Sequence, residues 1–457
     1  MRPPVGPLGL ELAAEALDRA GITPQILDLA WERAPAAALA RALQSKPALV
    51  GFSVRNLDDC YFASRKFLLA PARGAIKMAR QAGATTVVGG VGFSVSPAAA
   101  LEWLGADLGV RGDAEAALPA LAGRVLSGKG LDGVPGLVRP GAPEPEPAVC
   151  DLYANGVSAR RFFDWERYYR FGGQAGIETR RGCNRRCIYC ADPVAKGRMV
   201  RERDPFEVAD EIAALCARGI EVFHLCDPEW NLSRKHAENL CRAFICRGID
   251  RKARWYAYAL PAPFDRELAR LAARAGCAGI DFGADSADAG MLARLGRDYG
   301  PEALETAARA CRDADIPFMY DLLLGGPGET RASLKRTVAA MKRIGPDRVG
   351  VSFGLRVFAE TGLARKLEAA GPLDENPSVT GATRNNPGLL KPVFYAEAGL
   401  GRDAEKYLAG LIDGDKRFLF ASREEFGTNY NYNNNAPLCR AIRRGARGAF
   451  WHILMGI

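Results

Sequence analysis

The chain has 457 residues, of which 48% are hydrophobic and 25% are charged, and it carries a formal net charge of +9. This length predicts two or three globular domains with a sizeable core. No apolar run is long enough to span a bilayer, and the first residues lack an apolar signal-peptide core. The cysteines are mostly scattered singly, which favours free thiols in a reducing cytoplasm over a disulfide framework.

The positive charge by itself would suit a nucleic-acid partner. Many arginines, however, lie in helical patterns beside acidic residues, as in the run from Asp265 to Glu267. Such alternation is typical of a solvated surface, whereas a nucleic-acid groove concentrates basic residues on one face. We therefore expect no nucleic-acid partner.

The first 128 residues alternate helical and strand patterns. Helical patterns cover residues 9–21, 36–43, 58–82 (with a break near Pro71) and 97–104, and strand patterns cover residues 22–29, 48–54, 85–88 and 107–110. This alternation predicts an α/β domain with a doubly wound, Rossmann-like parallel sheet. Ligands of such sheets bind beyond the carboxyl ends of the strands, which here are residues 55–58, 89–94 and 111–113.

Residues 129–172 include a Pro- and Gly-rich stretch and are predicted to form a linker. Strand and helix patterns then recur over residues 173–371, with strands at 176–179, 222–226, 255–259, 279–283, 317–324 and 348–353. Six strands separated by helices suit a partial (β/α)₆ barrel, whose active site lies at the carboxyl ends of the strands. Residues 372–457 are predicted to form a small α-rich extension. Its Asn- and Tyr-rich stretch, 429–435, suits either a capping loop or the lining of a polar pocket.

Three cysteines, Cys183, Cys187 and Cys190, are spaced C-x₃-C-x₂-C at the start of the second α/β region. A [4Fe–4S] cluster normally takes four cysteine ligands, so three thiolates leave one iron open for another ligand. A structural zinc site would instead complete its tetrahedron with a fourth Cys or His. The spacing therefore favours an iron–sulfur cluster with an open iron, with zinc as the alternative.

This cysteine motif, with Tyr189 before its third cysteine, resembles the signature of the radical S-adenosylmethionine (SAM) superfamily. The resemblance implies that the amino and carboxylate groups of SAM chelate the open iron. It also implies that SAM is contacted by residues at the strand ends. The residues that it assigns to SAM are Tyr189, Asp227, Glu229, Asp285, Ser286 and Arg356. Among them, the acids after the second strand would bind the amino group, Asp285 and Ser286 the ribose, and Arg356 the carboxylate.

The N-terminal unit resembles the cobalamin-binding domain that precedes many radical SAM barrels. The resemblance implies that its glycine turn lets the backbone approach cobalamin. It assigns cobalamin to Leu8, Gly9, Arg55, Asn56, Leu57, Gly89, Gly90, Val91, Gly92 and Gly112. The D-x-H-x-x-G motif of classical cobalamin proteins is absent, so cobalt would have no histidine ligand from this domain. The alternative is a Rossmann-like domain whose ligand has been lost or changed.

Together the resemblances imply a cobalamin-dependent radical SAM C-methyltransferase acting on a small molecule or secondary metabolite. In that family the reduced cluster cleaves SAM to a 5′-deoxyadenosyl radical, which removes hydrogen from an unactivated carbon, and methylcobalamin then supplies a methyl group. An external electron donor of flavodoxin or ferredoxin type would reduce the cluster. The alternative is ring formation, ring contraction or oxidative cyclisation without methyl transfer. A cluster-binding electron-transfer or sensor protein is a further alternative, which would not cleave SAM. No catalytic residue can be named from the sequence.

Overall fold

The computed structural model describes residues 2–152, 156–420 and 434–457. Most of the Asn- and Tyr-rich stretch lies outside these ranges. Of the part that is described, Asn435 accepts a hydrogen bond from the backbone N–H of Leu438 and so begins a helix. Among the described residues, no helix combines the length and the apolar character that a membrane crossing requires.

The N-terminal domain is a four-stranded sheet flanked by helices. Its helices are α1 (Leu8–Arg19), α2 (Pro35–Leu43), α3 (Ala70–Gln81), α4 (Val91–Val95), α5 (Pro97–Leu104) and α6 (Ala114–Ser127), and its strands are β1 (Leu49–Ser53), β2 (Thr85–Gly89), β3 (Leu108–Val110) and β4 (Leu137–Val138). The first three strands are parallel in the order β1-β2-β3, and β4 pairs antiparallel with β3. Three of the predicted strands are therefore confirmed.

Three local predictions in this region are wrong. Residues 22–29 form no strand, because no described strand lies beside them to supply a ladder; they lead into a 3₁₀ turn at Leu29–Trp31. Residues 58–69 are not helical, because the carboxylate of Asp59 accepts bonds from the backbone N–H groups of Tyr61 and Lys66 and holds a turn instead. The predicted linker is partly structured, since β4 belongs to the N-terminal sheet.

The second domain is built on a parallel sheet of seven strands. Its helices are α7 (Trp165–Gly172), α8 (Asp192–Lys196), α9 (Pro205–Cys216), α10 (Arg234–Cys246), α11 (Arg266–Arg274), α12 (Ala289–Leu295), α13 (Pro301–Arg312), α14 (Arg331–Ile344), α15 (Gly362–Ala370), α16 (Ala404–Ile412), α17 (Ala436–Arg443) and α18 (Phe450–Ile453). Its strands are β5 (Ala175–Ile177), β6 (Arg180–Arg181), β7 (Arg201–Glu202), β8 (Val222–Leu225), β9 (Arg254–Ala259), β10 (Cys277–Asp285), β11 (Phe318–Leu324), β12 (Arg348–Phe353), β13 (Leu355–Arg356), β14 (Val379–Gly381), β15 (Val393–Tyr395) and β16 (Phe418–Leu419).

The order of the large sheet is β16-β12-β11-β10-β9-β8-β5. All six predicted barrel strands are present and parallel, in the order of the chain. The additional strand β16, from the C-terminal region, pairs with β12. An open parallel sheet of this kind curves into a partial barrel with its helices outside.

Side chains alternate between the two faces of these strands. On β9, Trp255 faces outward and packs against Phe244 of α10. Tyr256 faces the barrel interior, where its hydroxyl lies 2.7 Å from Nδ1 of His452. The C-terminal segment around Trp451 thus closes the amino-terminal end of the barrel. The opposite end, towards the N-terminal domain, carries the predicted site.

Candidate active site

The cysteine loop lies between β6 and α8, at the carboxyl end of β5. Gly182, with a φ of 87°, begins the loop, and a Cβ at this position would lie 2.1 Å from the carbonyl oxygen of Met199. Only glycine can therefore occupy this position. Further along the loop, the backbone N–H of Ile188 donates to Leu295, and its carbonyl accepts from Leu363. The loop is thus held from both sides by backbone hydrogen bonds.

The three cysteines are free thiols, with Cys183 buried and the other two half-buried. Burial raises the pKa of all three thiols, that of Cys187 to about 11. Metal binding deprotonates thiols, so iron would supply the missing counter-charge. In the described part of the chain, no three His, Cys, Asp or Glu side chains converge on one point as ligands of a single metal ion. This arrangement suits a cluster, in which each thiolate binds a different iron, better than a single zinc ion.

Beside Cys187, three side chains form a hydrogen-bonded group that includes two of the predicted SAM residues. The hydroxyl of Tyr189 donates to Asp285 at 2.7 Å. Arg297 donates from Nε to Asp285 at 2.6 Å and from Nη2 to the Tyr189 hydroxyl at 2.8 Å. Arg297 was not predicted to belong to the site, because this residue, which follows helix α12, is not part of a recognisable sequence motif. This group fixes the orientation of Tyr189 next to the cysteines.

Two buried, oppositely charged groups near Cys183 have polar atoms without partners. Burial raises the pKa of Glu229 to about 7. Its Oε1 atom lies 3.8 Å from Arg297, and its Oε2 atom has no hydrogen-bond partner among the described residues. Arg180 is fully buried, and none of its three guanidinium nitrogens has a partner there either. Each of the two lies within range of the other's charge, and Arg180 also lies within range of Cys183. An amino group and a carboxylate, the two ends of an amino acid, would satisfy them.

The structure gives three of the predicted SAM residues other partners. Asp227 accepts bonds from the backbone and hydroxyl of Thr179, at 2.8 and 2.5 Å, and holds the corner between β5 and β6. Ser286 is fully buried, and its hydroxyl lies 3.0 Å from that of Thr337. Arg356 is also buried, and its Nε donates to Asp58 of the N-terminal domain at 2.7 Å.

A contact between Arg356 and the SAM carboxylate stays a prediction, and it would require this guanidinium to give up one of its protein partners. The other two nitrogens of this guanidinium donate to backbone carbonyl groups, Nη1 to Val357 and Nη2 to Leu389 and Leu390. Its donors are thus used to join the barrel to the N-terminal domain. Near the cysteines, Arg180 is a buried cation whose guanidinium nitrogens have no hydrogen-bond partner in the described part of the chain, and no family motif had singled it out.

At the carboxyl edge of the N-terminal sheet, three of the glycines predicted to contact cobalamin lie against neighbouring backbone. A Cβ on Gly90 would lie 2.6 Å from the carbonyl oxygen of Val54, and one on Gly92 would lie 2.8 Å from that of Arg55. A Cβ on Gly112 would lie 2.4 Å from the carbonyl oxygen of Ala148. These glycines let neighbouring strand-end loops pack against each other, and their contact with cobalamin stays a prediction.

The remaining predicted cobalamin residues divide into three groups. Arg55 and Asn56 are exposed at the strand end, beside the turn formed by Gly89 and Val91. Leu57 is buried in the domain core, and Leu8 lines a narrow cleft with Glu115 and Arg181. At Gly9 no neighbouring atom lies within 4 Å of the Cβ position. The exposed polar edge suits a large ligand between the two domains.

Buried ion pairs hold this edge next to the cysteine loop. Arg181, two residues before Cys183, pairs with Asp113 at 2.7 Å and Glu115 at 2.9 Å, both in the N-terminal domain. Glu178, at 2.7 Å, completes the set. Charge-assisted bonds of this kind, shielded from water, fix the separation of the two domains. The fold and site thus define a two-domain enzyme in which a cluster-binding barrel faces a Rossmann-like nucleotide- or cofactor-binding sheet.

Comparisons with known proteins agree with this architecture. Residues 177–352 match the radical SAM superfamily, and residues 2–122 match the B12 binding domain. The chain is 30% identical to a tryptophan 2-C-methyltransferase from Streptomyces laurentii, over 93% of this chain and 81% of the relative. It is also similar to a solved structure of the radical SAM methyltransferase TsrM from Kitasatospora setae with tryptophan and a SAM analogue (aza-SAM) bound, at 31% identity and a TM-score of 0.92, over 100% of this chain and 95% of that one.

A second structure of TsrM, with cobalamin and a [4Fe-4S] cluster bound, matches at 29% identity and a TM-score of 0.90, again over 100% of this chain and 95% of that one. The cobalamin-dependent radical enzyme OxsB shares the fold, at 16% identity and a TM-score of 0.70, over 86% of this chain and 62% of that one. The chain therefore belongs to the cobalamin-dependent radical SAM methyltransferases. The predicted family and fold class are confirmed.

Proposed function

We propose that this enzyme methylates a carbon atom of a small aromatic amino acid of the tryptophan type. The observation that carries the proposal is a pair of oppositely charged side chains, Arg180 and Glu229, that lie beside the three-cysteine loop and have buried polar atoms without a hydrogen-bond partner among the described residues. The proposal is also supported by the similarity of the whole chain to a methyltransferase whose structure contains tryptophan. The predicted finer details, a secondary-metabolite substrate and an external electron donor, stay predictions.

Three sets of residues would hold the three cofactors. Cys183, Cys187 and Cys190 would bind the cluster, and Glu229 and Arg180 would bind the amino group and the carboxylate of SAM. The exposed strand-end residues of the N-terminal domain, including Arg55 and Asn56, would contact cobalamin. When bound, the cluster and SAM supply radical chemistry and the cobalamin supplies the methyl group.

The chain's own contribution is position and charge. Arg181 and its three carboxylate partners keep the cysteine loop at a set distance from the N-terminal domain. Arg297 and Asp285 hold the ring of Tyr189 beside the cysteines. Because these contacts hold the charged and aromatic groups in place, little reorganisation accompanies the reaction.

Hydrogen abstraction by a 5′-deoxyadenosyl radical was predicted from the superfamily resemblance. Methylation of an sp³ carbon requires such a step, because its C–H bond is otherwise inert. An aromatic carbon such as C2 of an indole can instead lose its hydrogen as a proton. The ratio of 5′-deoxyadenosine to methylated product distinguishes these routes, and a ratio near one indicates abstraction.

The test is an anaerobic incubation of the cluster- and cobalamin-loaded enzyme with tryptophan and SAM whose methyl group carries deuterium. The proposal predicts a product that contains the labelled methyl group. A product that has lost hydrogen without gaining label would instead support the alternative, a cyclisation or ring contraction. Absence of labelled product from tryptophan and from other aromatic amino acids would contradict the proposed substrate class.

A further inference from the structure

The barrel interior contains an acidic group that neither the cluster nor the domain interface uses. Asp281 on β10 and Asp321 on β11 both face inward, since their neighbours Phe282 and Tyr320 pack in the outer core. In the ladder between these strands, Asp281 lies opposite Met319 and Gly283 opposite Asp321, so the two carboxylates are diagonal neighbours on one face. Burial and the charge of Asp321 raise the pKa of Asp281.

Asp281 has the character of a binding group. It is only 5% exposed, and its Oδ1 atom has no hydrogen-bond partner among the described residues. An orphaned buried carboxylate oxygen costs about 1–3 kcal/mol or more unless a ligand or water satisfies it. A second carboxylate close by makes a cation the favoured ligand.

The surrounding wall is aromatic and open. Tyr258 lies directly opposite Asp281 on the neighbouring strand, and it is 43% exposed although β9 is central in the sheet. Its ring lies 4.7 Å from that of His224, and burial lowers the pKa of His224 to about 4, so this imidazole is neutral near pH 7. The space between the strands therefore has an acidic side and an uncharged aromatic side.

This space lies directly below the proposed SAM site. The next inward position on β10 after Asp281 is Gly283, and a Cβ there would lie 3.2 Å from Oε1 of Glu229. A ligand held by Asp281 would therefore lie under Glu229, on the side of the cysteine loop. The absence of a side chain at Gly283 leaves room for Glu229 and for Nη2 of Arg297, which would lie 3.4 Å from the Cβ position.

We infer that Asp281 and Asp321 bind the ammonium group of the substrate, with its aromatic ring along Tyr258 and His224. This inference rests on the proposed function and specifies how its site selects an amine. A small aromatic molecule with a primary ammonium group fits both sides of the space. A molecule of the same shape without the amine leaves Oδ1 of Asp281 without a partner among the described residues and binds more weakly.

Anaerobic titration calorimetry on the enzyme loaded with cluster and cobalamin tests this inference. The probes are two matched pairs, tryptophan with indole-3-propionate and phenylalanine with 3-phenylpropionate, which differ only in the amine. The wild type is expected to bind the amine of at least one pair about ten- to a hundredfold more tightly. Asp281→Asn and Asp321→Asn should each weaken only the amine and reduce that preference to about threefold or less.

Asp413→Asn, which removes the same charge at an exposed position in helix α16's C-terminal cap, should keep the wild-type preference. If Asp281→Asn does not fold, the affinities of the wild type and of Asp321→Asn for the two ligand pairs still test the inference. No amine preference in either pair, or an equal weakening of both members by the variants, would overturn the inference. A preserved preference for the amine without any methylated product would support the ammonium site and contradict the proposed function. Methylated product together with equal affinity for the amine and its des-amino analogue would support the proposed function and contradict the ammonium site.

Discussion

Arg356 donates a hydrogen bond of 2.7 Å to Asp58, across the interface between the barrel and the N-terminal domain, and both residues are buried. This buried ion pair connects the two domains. Removing one partner leaves a buried charge without compensation, which is costlier than removing both. The residue that resembled a SAM ligand in the sequence is thus part of the framework that positions the cofactors.

Asp58→Asn should therefore lower the free energy of unfolding by about 3–5 kcal/mol. Asp132→Asn, which breaks an exposed pair with Arg139, should change it by less than about 1 kcal/mol. Thermal unfolding of the apo-protein measures both. Arg356→Lys should destabilise the protein without changing SAM affinity in the folded enzyme. A loss of SAM binding in Arg356→Lys, at unchanged stability, would instead restore the role predicted from the sequence.

Arg180→Gln should weaken SAM binding by about ten- to a hundredfold, because the carboxylate would lose its buried cationic partner. Equilibrium dialysis on the cluster-loaded protein measures this. Arg402→Gln, at an exposed position, is the matched control. Decarboxylated SAM should bind the wild type and Arg180→Gln equally well. If the variant weakens both ligands to the same extent, Arg180 is not the carboxylate partner.

Glu229→Gln should show the complementary pattern. The amide keeps the shape of the side chain and loses its charge, so SAM and decarboxylated SAM, which both carry the amino group, should lose about tenfold in affinity. Glu267→Gln, whose side chain is 89% exposed, serves as control. Unchanged affinity for both ligands in Glu229→Gln would exclude the carboxylate as the partner of the amino group.

Acid should weaken the contact between α9 and the segment that precedes α7. Glu211 is fully buried between Arg160 and Arg203, with N–O distances of 2.6 and 2.7 Å. Burial alone would raise the pKa of Glu211, but the two guanidinium groups outweigh it and lower this pKa below its ordinary value. Because the folded-state pKa is lowered, the stabilisation is present above the unfolded pKa of about 4.3 and is lost as pH falls through the folded value.

The melting temperatures of the wild type and Glu211→Gln test this dependence. The advantage of the wild type should be constant from pH 8 to pH 5 and should shrink as the pH falls further, because only the wild type must take up a proton. Glu166→Gln, at an exposed pair with Arg218, should show little difference at any pH. A wild-type advantage that is unchanged in acid would show that the Glu211 carboxylate is not the source of the stability.

The six barrel strands and the cysteine loop could be predicted because both depend on local patterns. Runs of β-branched and apolar residues identify buried strands. The spacing of cysteines predicts a set of metal ligands even when the rest of the fold is unknown. The segment 22–29 has an apolar pattern as well, but a strand exists only where a neighbour supplies a ladder. That neighbour is a property of the whole sheet.

The cation for the SAM carboxylate could not be assigned from the sequence for a similar reason. Arg180 and Arg356 both follow barrel strands, and either could reach a ligand. Asp58, nearly three hundred residues earlier in the chain, binds Arg356, whereas the guanidinium nitrogens of Arg180 have no hydrogen-bond partner among the described residues. Arg297 likewise becomes part of the site only because helix α12 brings it beside Tyr189 and Asp285.

The most direct test of the central claim is the iron, sulfide and cobalamin content of the anaerobically reconstituted protein with and without its three loop cysteines. The wild type is expected to contain about four irons, about four sulfides and about one cobalamin per chain. The triple substitution Cys183→Ala, Cys187→Ala and Cys190→Ala should lose the iron and sulfide and keep the cobalamin, while Cys246→Ala, at an exposed thiol, should keep all three. Full iron and sulfide in the triple variant, or one zinc ion in place of the cluster in the wild type, would contradict the account.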